Sequence, residues 1–323
     1  GALVPKELFQ IKADAIAATE RAVELYQGDL TLADYGGASF LKQFCLNLLR
    51  RRESNPKFRP RGIFLVGPPG CGKSLLAKCL GSEVNRATAI VTLGALKGSL
   101  QGASFSNLLN MLSTLEAMSP LIALLDEVEG QLAGGKDTGA TDGGTASQMN
   151  AKLLSWLNDR TADVFTIASC NDIRPVLRDM PEFTRSGRFD GMFFLDYPSR
   201  ASKDAIWKIH LAGYEHISKE NADAEFAEIT LPKDDNWTGS EIEACCRLAR
   251  LQGKTVASVG EHMPTIAAQA SDRIEEIRVW AHGRCYAAEY EGIYDKDKHS
   301  DRLEKLAQAQ RTRRVMSTKS RVK

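Results

Sequence analysis

Residues 67–74 read GPPGCGKS and follow directly on the apolar run GIFLV at 62–66. The eight residues fit the pattern G-x-x-x-x-G-K-[ST], in which glycines let backbone N–H groups curl around phosphate oxygens. The apolar run predicts a buried strand, and the residues from Ser74 onward predict a helix whose positive N-terminal end faces the phosphate. The stretch therefore predicts a phosphate-binding loop between a strand and a helix.

Apolar runs recur along the chain after this loop. Uniformly apolar runs that alternate with helical stretches are typical of parallel strands covered on both faces. We therefore expect an α/β fold in which a five-stranded parallel sheet is sandwiched by helices. The predicted strands are Ile63–Val66, Ala89–Leu93, Leu121–Asp126, Val164–Ser169 and Met192–Tyr197, and the helices between them are Ser74–Asn85, Ser104–Ala117 and Ser147–Asn158.

The pattern divides the chain into four segments. Apolar residues from Leu8 to Leu25 at steps of three and four predict a helix over 5–27, so residues 1–30 are an N-terminal helix and linker. Residues 31–198 form the α/β domain, and residues 199–292 form a smaller helical domain that ends in a helix over Ile274–Tyr290. Residues 293–323 form a basic tail, which we expect to be solvated.

Composition excludes several classes of protein. The chain has 323 residues, 43% of them hydrophobic and 26% charged, with a net charge of +1, so no overall charge favours nucleic acid or anionic membranes. No apolar run approaches the roughly 20 residues that span a bilayer. The seven cysteines include no C-x-x-C, which indicates reduced thiols in a cytosol-like compartment.

Each polar group of the loop and of the next apolar strands suits one step of phosphate chemistry. Lys73 is the point charge for the β- and γ-phosphates, and the Ser74 hydroxyl is a ligand for Mg²⁺. Asp126 and Glu127 end the strand LIALL, where one carboxylate holds the metal's water shell and the other orients an attacking water. A kinase of small metabolites does not need the second carboxylate, so the pair favours ATP hydrolysis.

Two further features follow along the chain. Asn171 comes directly after the predicted strand Val164–Ser169 and Cys170, in a position to bind the γ-phosphate and the attacking water, although Asn is also an ordinary turn residue. Arg185 and Arg188 lie three residues apart around Gly187 and offer bidentate forks for developing phosphate charge. Because they are far in sequence from the loop, they suit delivery to a neighbouring subunit, and therefore a ring.

With these residues assembled, the chain resembles the AAA ATPases, a branch of the AAA+ superfamily, from Ala33 to about Arg250. The resemblance implies the AAA+ P-loop fold, a helical lid domain, and ATP with Mg²⁺ as cofactors. It makes residues 67–74 the Walker A motif, residues 121–127 the Walker B motif, Asn171 the first sensor, and Arg185 and Arg188 the arginine fingers. The nucleotide-binding residues it implies are Asp34, Tyr35, Gly36, Pro69, Gly70, Cys71, Gly72, Lys73, Ser74, Leu75, His210, Gly239 and Ser240.

The chain is more narrowly similar to AAA ATPases first described as conserved chloroplast reading frames and also found in cyanobacteria. The similarity is carried by DGGT at 142–145, LLSWL at 153–157, FFLD at 193–196 and RVWAHGR at 278–284. It implies a preceding N-terminal domain, and a location in the cytoplasm, or in the plastid stroma if the protein is organellar.

Two departures from the AAA pattern bear on function. The first pore loop of AAA translocases carries an aromatic residue, whereas the matching residues here are Leu100-Gln101-Gly102, so Leu100 would contact substrate with a smaller area. The stretch from Asn171 to Arg185 also looks irregular, with Met180-Pro181 replacing a short acidic-Pro step.

Three functions fit these features. The first is a hexameric ring that hydrolyses ATP to remodel or extract a protein partner. The second is an AAA+ module that loads onto or regulates nucleic acid, which only the basic tail and the basic linker at 50–61 favour. The third is a scaffold that assembles on ATP without exerting force, which Leu100 leaves open.

Overall fold

The computed structural model describes residues 16, 22–51, 55–96, 103–132, 143–185 and 187–299. Within them a sheet of seven strands has the order β1-β3-β4-β5-β2-β6-β7. The strands are β1 (Val23–Leu25), β2 (Gly62–Val66), β3 (Ala87–Val91), β4 (Leu121–Leu125), β5 (Val164–Cys170), β6 (Gly191–Phe194) and β7 (Tyr286–Ala287). The predicted α/β fold, a sheet flanked by helices, is confirmed.

The three helices predicted between the strands are present, and each begins one to four residues before its predicted start. The described helices are more numerous than the predicted ones. They are α1 (Ser39–Leu49), α2 (Lys73–Glu83), α3 (Ala103–Ala117), α4 (Val128–Leu132), α5 (Gly143–Asp159), α6 (Ile173–Asp179), α7 (Arg200–Gly213), α8 (Ala222–Glu228), α9 (Gly239–Gln252), α10 (Val256–Gly260) and α11 (Ile266–Ala281). None of the described helices is long and apolar enough to cross a membrane.

The prediction of five parallel strands is wrong in number and in direction. Strand β3 pairs parallel with β4, β4 with β5, and β5 with β2, as expected. The first strand, β1, runs antiparallel to β3, with Glu24 opposite Ile90. The last strand, β7, pairs parallel with β6 over two residues. Both additional strands are too short for an apolar run to reveal them.

Strand β1 also overturns part of the predicted helix over 5–27. Val23 and Leu25 are buried and Glu24 is exposed, the alternation of a strand with one covered face. Tyr26 N donates to Thr88 O at 2.8 Å, and Thr92 N donates to Ala22 O at 2.9 Å, so the pairing with β3 extends past both ends of β1. Long-range pairing therefore overrides the helical spacing. Residues 5–15 and 17–21 of the predicted helix lie outside the described residues.

The helix predicted over Ile274–Tyr290 is also displaced. Helix α11 begins earlier, at Ile266, is kinked at Ala270 with φ −142°, and ends at Ala281, shortly before Gly283 with φ 72°. A positive φ is easily reached only by glycine, so the helix ends here. The chain then turns back, and Tyr286 pairs with Phe193 in the sheet. The apolar spacing continues past Ala281 because the strand that follows is also half-buried.

The chain divides into two compact units, each with its own core. One holds the residues up to Asp34 together with Cys45–Val66 and Lys73–Met192, and the other holds Tyr35–Phe44, Gly67–Gly72 and the residues from Phe193 onward. In the first unit every residue of β2, β4 and β5 is buried. In the second unit apolar side chains of α7, α9 and α10, with Trp207 and Trp237, form one cluster.

A buried carboxylate holds the helical core of the second unit together. Asp234, which is 5% exposed, accepts a hydrogen bond from Trp207 Nε1 at 2.8 Å and an ion pair from Arg200 NH1 at 2.7 Å. Lys203, 7% exposed, donates to the backbone oxygen of Asp234. Burial lowers the pKa of Lys203, and the charge of Asp234 opposes that shift. The polar groups are therefore buried together and compensate one another.

Asp234→Ala should destabilise this unit by about 3–5 kcal/mol, because it leaves the Trp207 N–H unpaired and the Lys203 charge without its counter-ion. Urea unfolding followed by tryptophan fluorescence measures the change. Asp235→Ala is the matched control, since Asp235 is exposed and should change stability by less than about 0.5 kcal/mol. Equal midpoints for the two variants would contradict the assignment.

Candidate nucleotide-binding site

The loop at 67–72 has a backbone that only glycines adopt easily. Gly70 and Gly72 have φ of 80° and 82°. A Cβ added at Gly70 would collide with Ser240 Oγ, and one added at Gly72 would lie 3.1 Å from the ring of Tyr35. A Cβ at Gly67 would collide with Leu195 O. The loop is therefore closely surrounded by backbone and side chains of its own unit, and glycine is required for both conformation and space.

The start of α9 contacts this loop directly. Ser240 N donates to Gly70 O at 3.2 Å, and a Cβ at Gly239 would lie 3.5 Å from the same oxygen. The helix begins at a capping box, in which Thr238 N and Oγ1 both donate to Glu241 Oε2, at 2.6 and 2.7 Å. The cap holds the first turn of α9 in register with the loop, so the predicted residues Gly239 and Ser240 do lie beside Gly70.

Tyr35 and Gly36, two of the predicted nucleotide-binding residues, lie in the same unit as the loop. Tyr35 is buried, and Lys42 Nζ donates to its backbone oxygen at 3.1 Å. Gly36 packs on Ile206 of α7, where an added Cβ would lie 2.9 Å from the Ile206 nitrogen. His210 lies four residues after Ile206 on α7, and burial lowers its pKa, so its neutral form is favoured. We call Tyr35, Gly36, Gly70, Gly72, Gly239 and Ser240 the loop cluster.

The remaining predicted loop residues have different surroundings. Pro69 is exposed, while Cys71 is half-buried, as is Leu75 in the first turn of α2. Asp34 belongs to the first unit, where its carboxylate accepts from Thr31 N at 2.9 Å and from Thr31 Oγ1 at 3.1 Å. The Asp34 backbone N also donates to Thr31 O at 3.0 Å, so both the carboxylate and the backbone of Asp34 stabilise this turn.

The second group of polar residues lies at the carboxyl ends of β4 and β5 in the first unit. Lys73 opens α2 and is only 5% exposed. Ser74 Oγ donates to Asp126 Oδ2 at 2.6 Å. Ser169 Oγ donates to the other oxygen of the same carboxylate, Asp126 Oδ1. Two hydroxyls therefore orient both oxygens of Asp126.

Glu127 is held in an uncommon conformation beside Asp126. Its φ is 50°, a region that costs about 1–3 kcal/mol for a residue with a side chain. Its backbone N donates to Ser169 Oγ at 3.1 Å, and its carboxylate oxygen Oε1 accepts from Asn171 Nδ2 at 3.0 Å. The exposed Glu127 side chain is thus bound to Asn171. The sequence places these two residues after separate strands.

Two residues of this group, Ser169 and Glu129, were not predicted from the sequence. Ser169 bridges Asp126 and Glu127, but a serine within an apolar strand gives no signal of that role. Glu129 Oε1 accepts from Asn171 N at 2.7 Å. Burial, which outweighs the lowering by backbone N–H groups, raises the pKa of the Glu129 carboxyl. We call Lys73, Ser74, Asp126, Glu127, Glu129, Ser169 and Asn171 the carboxylate cluster.

The chain between Asn171 and Arg185 is more regular than the sequence suggests. Asp172 caps helix α6, since its side chain accepts from Arg174 N at 3.0 Å. A short turn over Pro181–Thr184 follows, with the buried Phe183. The N-cap aspartate explains how a helix begins directly after the strand despite the proline at position 175.

The loop that carries the two arginines is fixed at its base. Phe189 stacks on Phe64 of β2, with ring centroids 5.7 Å apart, and packs on Phe183 at 5.3 Å. Asp190 Oδ2 accepts from the backbone N of Arg61 at 2.6 Å and of Gly62 at 2.8 Å. The side chain of Arg61 also donates to Gly187 O. These contacts hold the loop against the first strand of the parallel sheet.

The two arginines themselves differ in exposure. The Arg185 side chain is 71% exposed and forms a loose ion pair with Glu182 at 3.7 Å. Arg188 is half-buried, and its Nε and NH1 atoms are buried without a hydrogen-bond partner among the described residues. Arg185 is therefore the arginine of the pair that is open to contact from outside the chain.

The residues present fit a nucleotide with a divalent cation. The hydroxyl of Ser74 and the carboxylate of Asp126 offer adjacent oxygen atoms, the ligands that Mg²⁺ prefers. Gly70 and Gly72 have the left-handed φ that lets a loop turn successive backbone N–H groups toward a phosphate. The roles of the individual residues remain predictions.

Fold and loop together define the class: a strand, a glycine-rich loop and a helix, with a carboxylate at the end of a neighbouring strand, are the features of a P-loop nucleotide-binding protein. Residues 63–197 match the family described as "ATPase family associated with various cellular activities (AAA)". The chain therefore carries a domain of the AAA family, which confirms the resemblance. Membership of this family implies ATP binding and ATPase chemistry in general.

Several relatives share this domain. The AAA domain-containing protein ycf46 of Pyropia yezoensis is 33% identical over 228 residues, which cover 68% of this chain and 44% of the relative. The ycf46 protein of Guillardia theta is 30% identical over 240 residues, or 73% of this chain and 46% of the relative. A cell division cycle protein 48 homolog of Archaeoglobus fulgidus is 31% identical over 225 residues, or 67% and 29%.

The chain spans a little under half the length of the ycf46 relatives. Their similarity agrees with the narrower resemblance drawn from residues 153–157, 193–196 and 278–284. Leu100-Gln101-Gly102, the predicted pore loop, lies outside the described residues, and so does the basic tail from residue 300 onward.

Gly70→Ala should weaken ATP binding at least tenfold, because the added methyl group requires a left-handed backbone and meets Ser240 Oγ. Titration with a fluorescent ATP analogue measures the affinity. Gly213→Ala, at the end of α7 with no atom within 4 Å of the added Cβ, is the control and should bind as the unsubstituted protein does. Unchanged affinity in Gly70→Ala would show that the loop does not hold the phosphates.

Proposed function

We propose that this protein is a Mg²⁺-dependent ATP hydrolase of the AAA type that assembles into a ring of six subunits and remodels or extracts a protein partner. The observation that carries the proposal is the carboxylate cluster, in which Asp126 is bound by Ser74 and Glu127 is bound by Asn171. A protein that only bound nucleotide would need the first pair but not the second. The family assignment supports the same chemistry.

Binding is assigned to the glycine-rich loop and to α2. Backbone N–H groups of Gly70, Cys71 and Gly72 would contact phosphate oxygens, with Lys73 as the charged partner. Ser74 and Asp126 would hold the cation, which supplies charge neutralisation of the phosphates when bound. Tyr35, Gly36 and His210 are proposed to surround the base and ribose, where a neutral His210 suits stacking better than a charged one.

Water activation is assigned to Glu127 and Asn171. Asn171 Nδ2 already donates to Glu127 Oε1, so Oε2 is the oxygen that would accept a proton from the attacking water. The strained backbone of Glu127 and its bond to Ser169 Oγ limit the positions of that side chain. A fixed carboxylate loses less entropy when it orients water, which favours the reaction.

We propose that the positive charge that stabilises the phosphate in the transition state is an arginine of a second subunit. Arg185 is exposed on a loop whose base is fixed by Phe189 and Asp190, so it can extend outward without loss of position. Arg188 is proposed as its partner in the pair. An arginine supplied in this way contributes about 10³–10⁵ in rate in other phosphoryl-transfer enzymes.

The partner is inferred from the family, and the location is inferred from the family and from the cysteine pattern. A protein substrate gripped by Leu100, and a site in the cytoplasm or in the plastid stroma, remain parts of the proposal. Nucleic-acid loading is an outcome that the same ATPase assays detect, as stimulation of turnover by DNA.

Glu127→Gln should lower ATP turnover at least a hundredfold while ATP binding persists, because the amide cannot accept the proton but keeps the shape of the side chain. Steady-state turnover and nucleotide titration measure the two effects. Glu228→Gln, an exposed glutamate at the end of α8, should behave as the unsubstituted protein does. A variant that still turns over ATP would remove Glu127 from the mechanism.

Arg185→Ala should reduce turnover by about 10³ with ATP affinity little changed, whereas Arg178→Ala, also on the surface at 67% exposure, should change neither. Mixing the Arg185→Ala and Glu127→Gln proteins tests whether Arg185 acts at the nucleotide site of a neighbouring subunit. An Arg185→Ala subunit keeps Glu127, and a Glu127→Gln subunit keeps Arg185, so a mixed ring should regain turnover that neither variant has alone. A mixture as inactive as its components would contradict delivery between subunits.

A further inference from the structure

Glu129 is connected to Glu127 through Asn171. Its Oε1 accepts the backbone N–H of Asn171 at 2.7 Å, and the side-chain Nδ2 of the same asparagine donates to Glu127 Oε1 at 3.0 Å. Glu129 lies in the first turn of α4, directly after β4, whereas Asn171 follows β5. The two contacts therefore join the residues that follow two neighbouring parallel strands.

Packing alone does not account for the chemistry of Glu129. Its second oxygen, Oε2, is buried and has no hydrogen-bond partner among the described residues. A buried carboxylate without full compensation is costly, and an apolar residue of similar size would avoid that cost. A carboxylate or an amide provides an oxygen that accepts the Asn171 N–H, whereas an apolar side chain provides none.

The position of Asn171 needs such an acceptor. Asn171 lies between the last residue of β5, Cys170, and the residue that caps α6, Asp172. Its N–H is outside both the strand ladder and the helix, and the Glu129 carboxylate is the acceptor that binds it in the structure. Without that bond the asparagine gains backbone freedom, and the amide that meets Glu127 loses its defined direction.

We propose that Glu129 is a positioning residue for ATP hydrolysis: by holding the backbone of Asn171, it aims the Asn171 amide at Glu127. The inference rests on the proposed hydrolytic function. Glu129 touches neither substrate nor water in this scheme, and all of its effect on turnover passes through the Asn171 side chain.

Glu129→Val, Glu129→Gln, Asn171→Ala and the double variant Glu129→Val with Asn171→Ala test the proposal in the full chain. Glu129→Val should lower kcat for ATP about tenfold with KM changed less than twofold. Glu129→Gln should recover most of that loss, because its amide oxygen can accept the same N–H. In the Asn171→Ala background, Glu129→Val should lower kcat by less than a further twofold, since the side chain through which it acts is gone.

Three results would overturn the proposal: an unchanged kcat in Glu129→Val, the same tenfold loss in both backgrounds, or a Glu129→Gln protein as slow as Glu129→Val. Glu129→Asp, which withdraws the acceptor by one methylene, replaces Glu129→Val if that variant fails to fold. Glu129→Asp should then lower kcat when Asn171 is present and have little further effect in the Asn171→Ala background.

Hydrogen exchange at residues 170–172 separates this proposal from the function on which it rests. Exchange of the Asn171 amide should be faster in Glu129→Val than in Glu129→Gln, whether or not the protein turns over ATP. If the exchange rates differ in this way but the protein does not turn over ATP, the proposed hydrolysis is contradicted and the hydrogen bond from Asn171 to Glu129 is supported. Turnover without the difference would overturn the role of Glu129.

Discussion

The structure depends on the alignment of β4 with β5. The two strands are parallel and in register, with Leu125 opposite Ala168, so the residues that follow each strand meet at one edge of the sheet. The Ser169 hydroxyl fixes that meeting, because it donates to Asp126 and accepts from the backbone of Glu127. A shift of one residue would turn Ser169 to the opposite face and separate the carboxylates from Asn171.

Half-buried carboxylates in the first unit and a buried one in the second are bound by groups from distant parts of the chain. Asp126 is bound from α2 and β5, Glu129 from the residue after β5, and Asp234 from α7. Low dielectric makes such groups costly when they are unpaired, so they hold one arrangement of the backbone against others. The rigidity that a catalytic carboxylate needs thus arises from the same contacts that stabilise the units.

Glycine and backbone conformation have a comparable role in the loop cluster. Gly70 and Gly72 adopt left-handed φ beside Ser240 and Tyr35, where no other residue fits without displacement. Glu127 adopts a left-handed φ without being glycine, and its neighbours Ser169 and Asn171 stabilise it there. Glu127 is thus a residue with left-handed φ at a point where the sequence predicts water to bind, and Ala38, Asn85, Glu215 and Asn236 have positive φ elsewhere in the chain.

Three features follow from the sequence alone: the glycine-rich loop between a strand and a helix, the α/β class, and the place of Asp126, Glu127 and Asn171 directly after particular strands. These features are local: an apolar run, a glycine pattern and the polar residues directly after it. The folded structure was needed to show that residues 23–25 form an antiparallel strand, that Tyr286 pairs with β6, and that Ser169 and Glu129 join the carboxylates. Those outcomes depend on partners 60 or more residues away or on the other side of a strand pair, and no local spacing records which distant group will satisfy a given N–H or carboxylate.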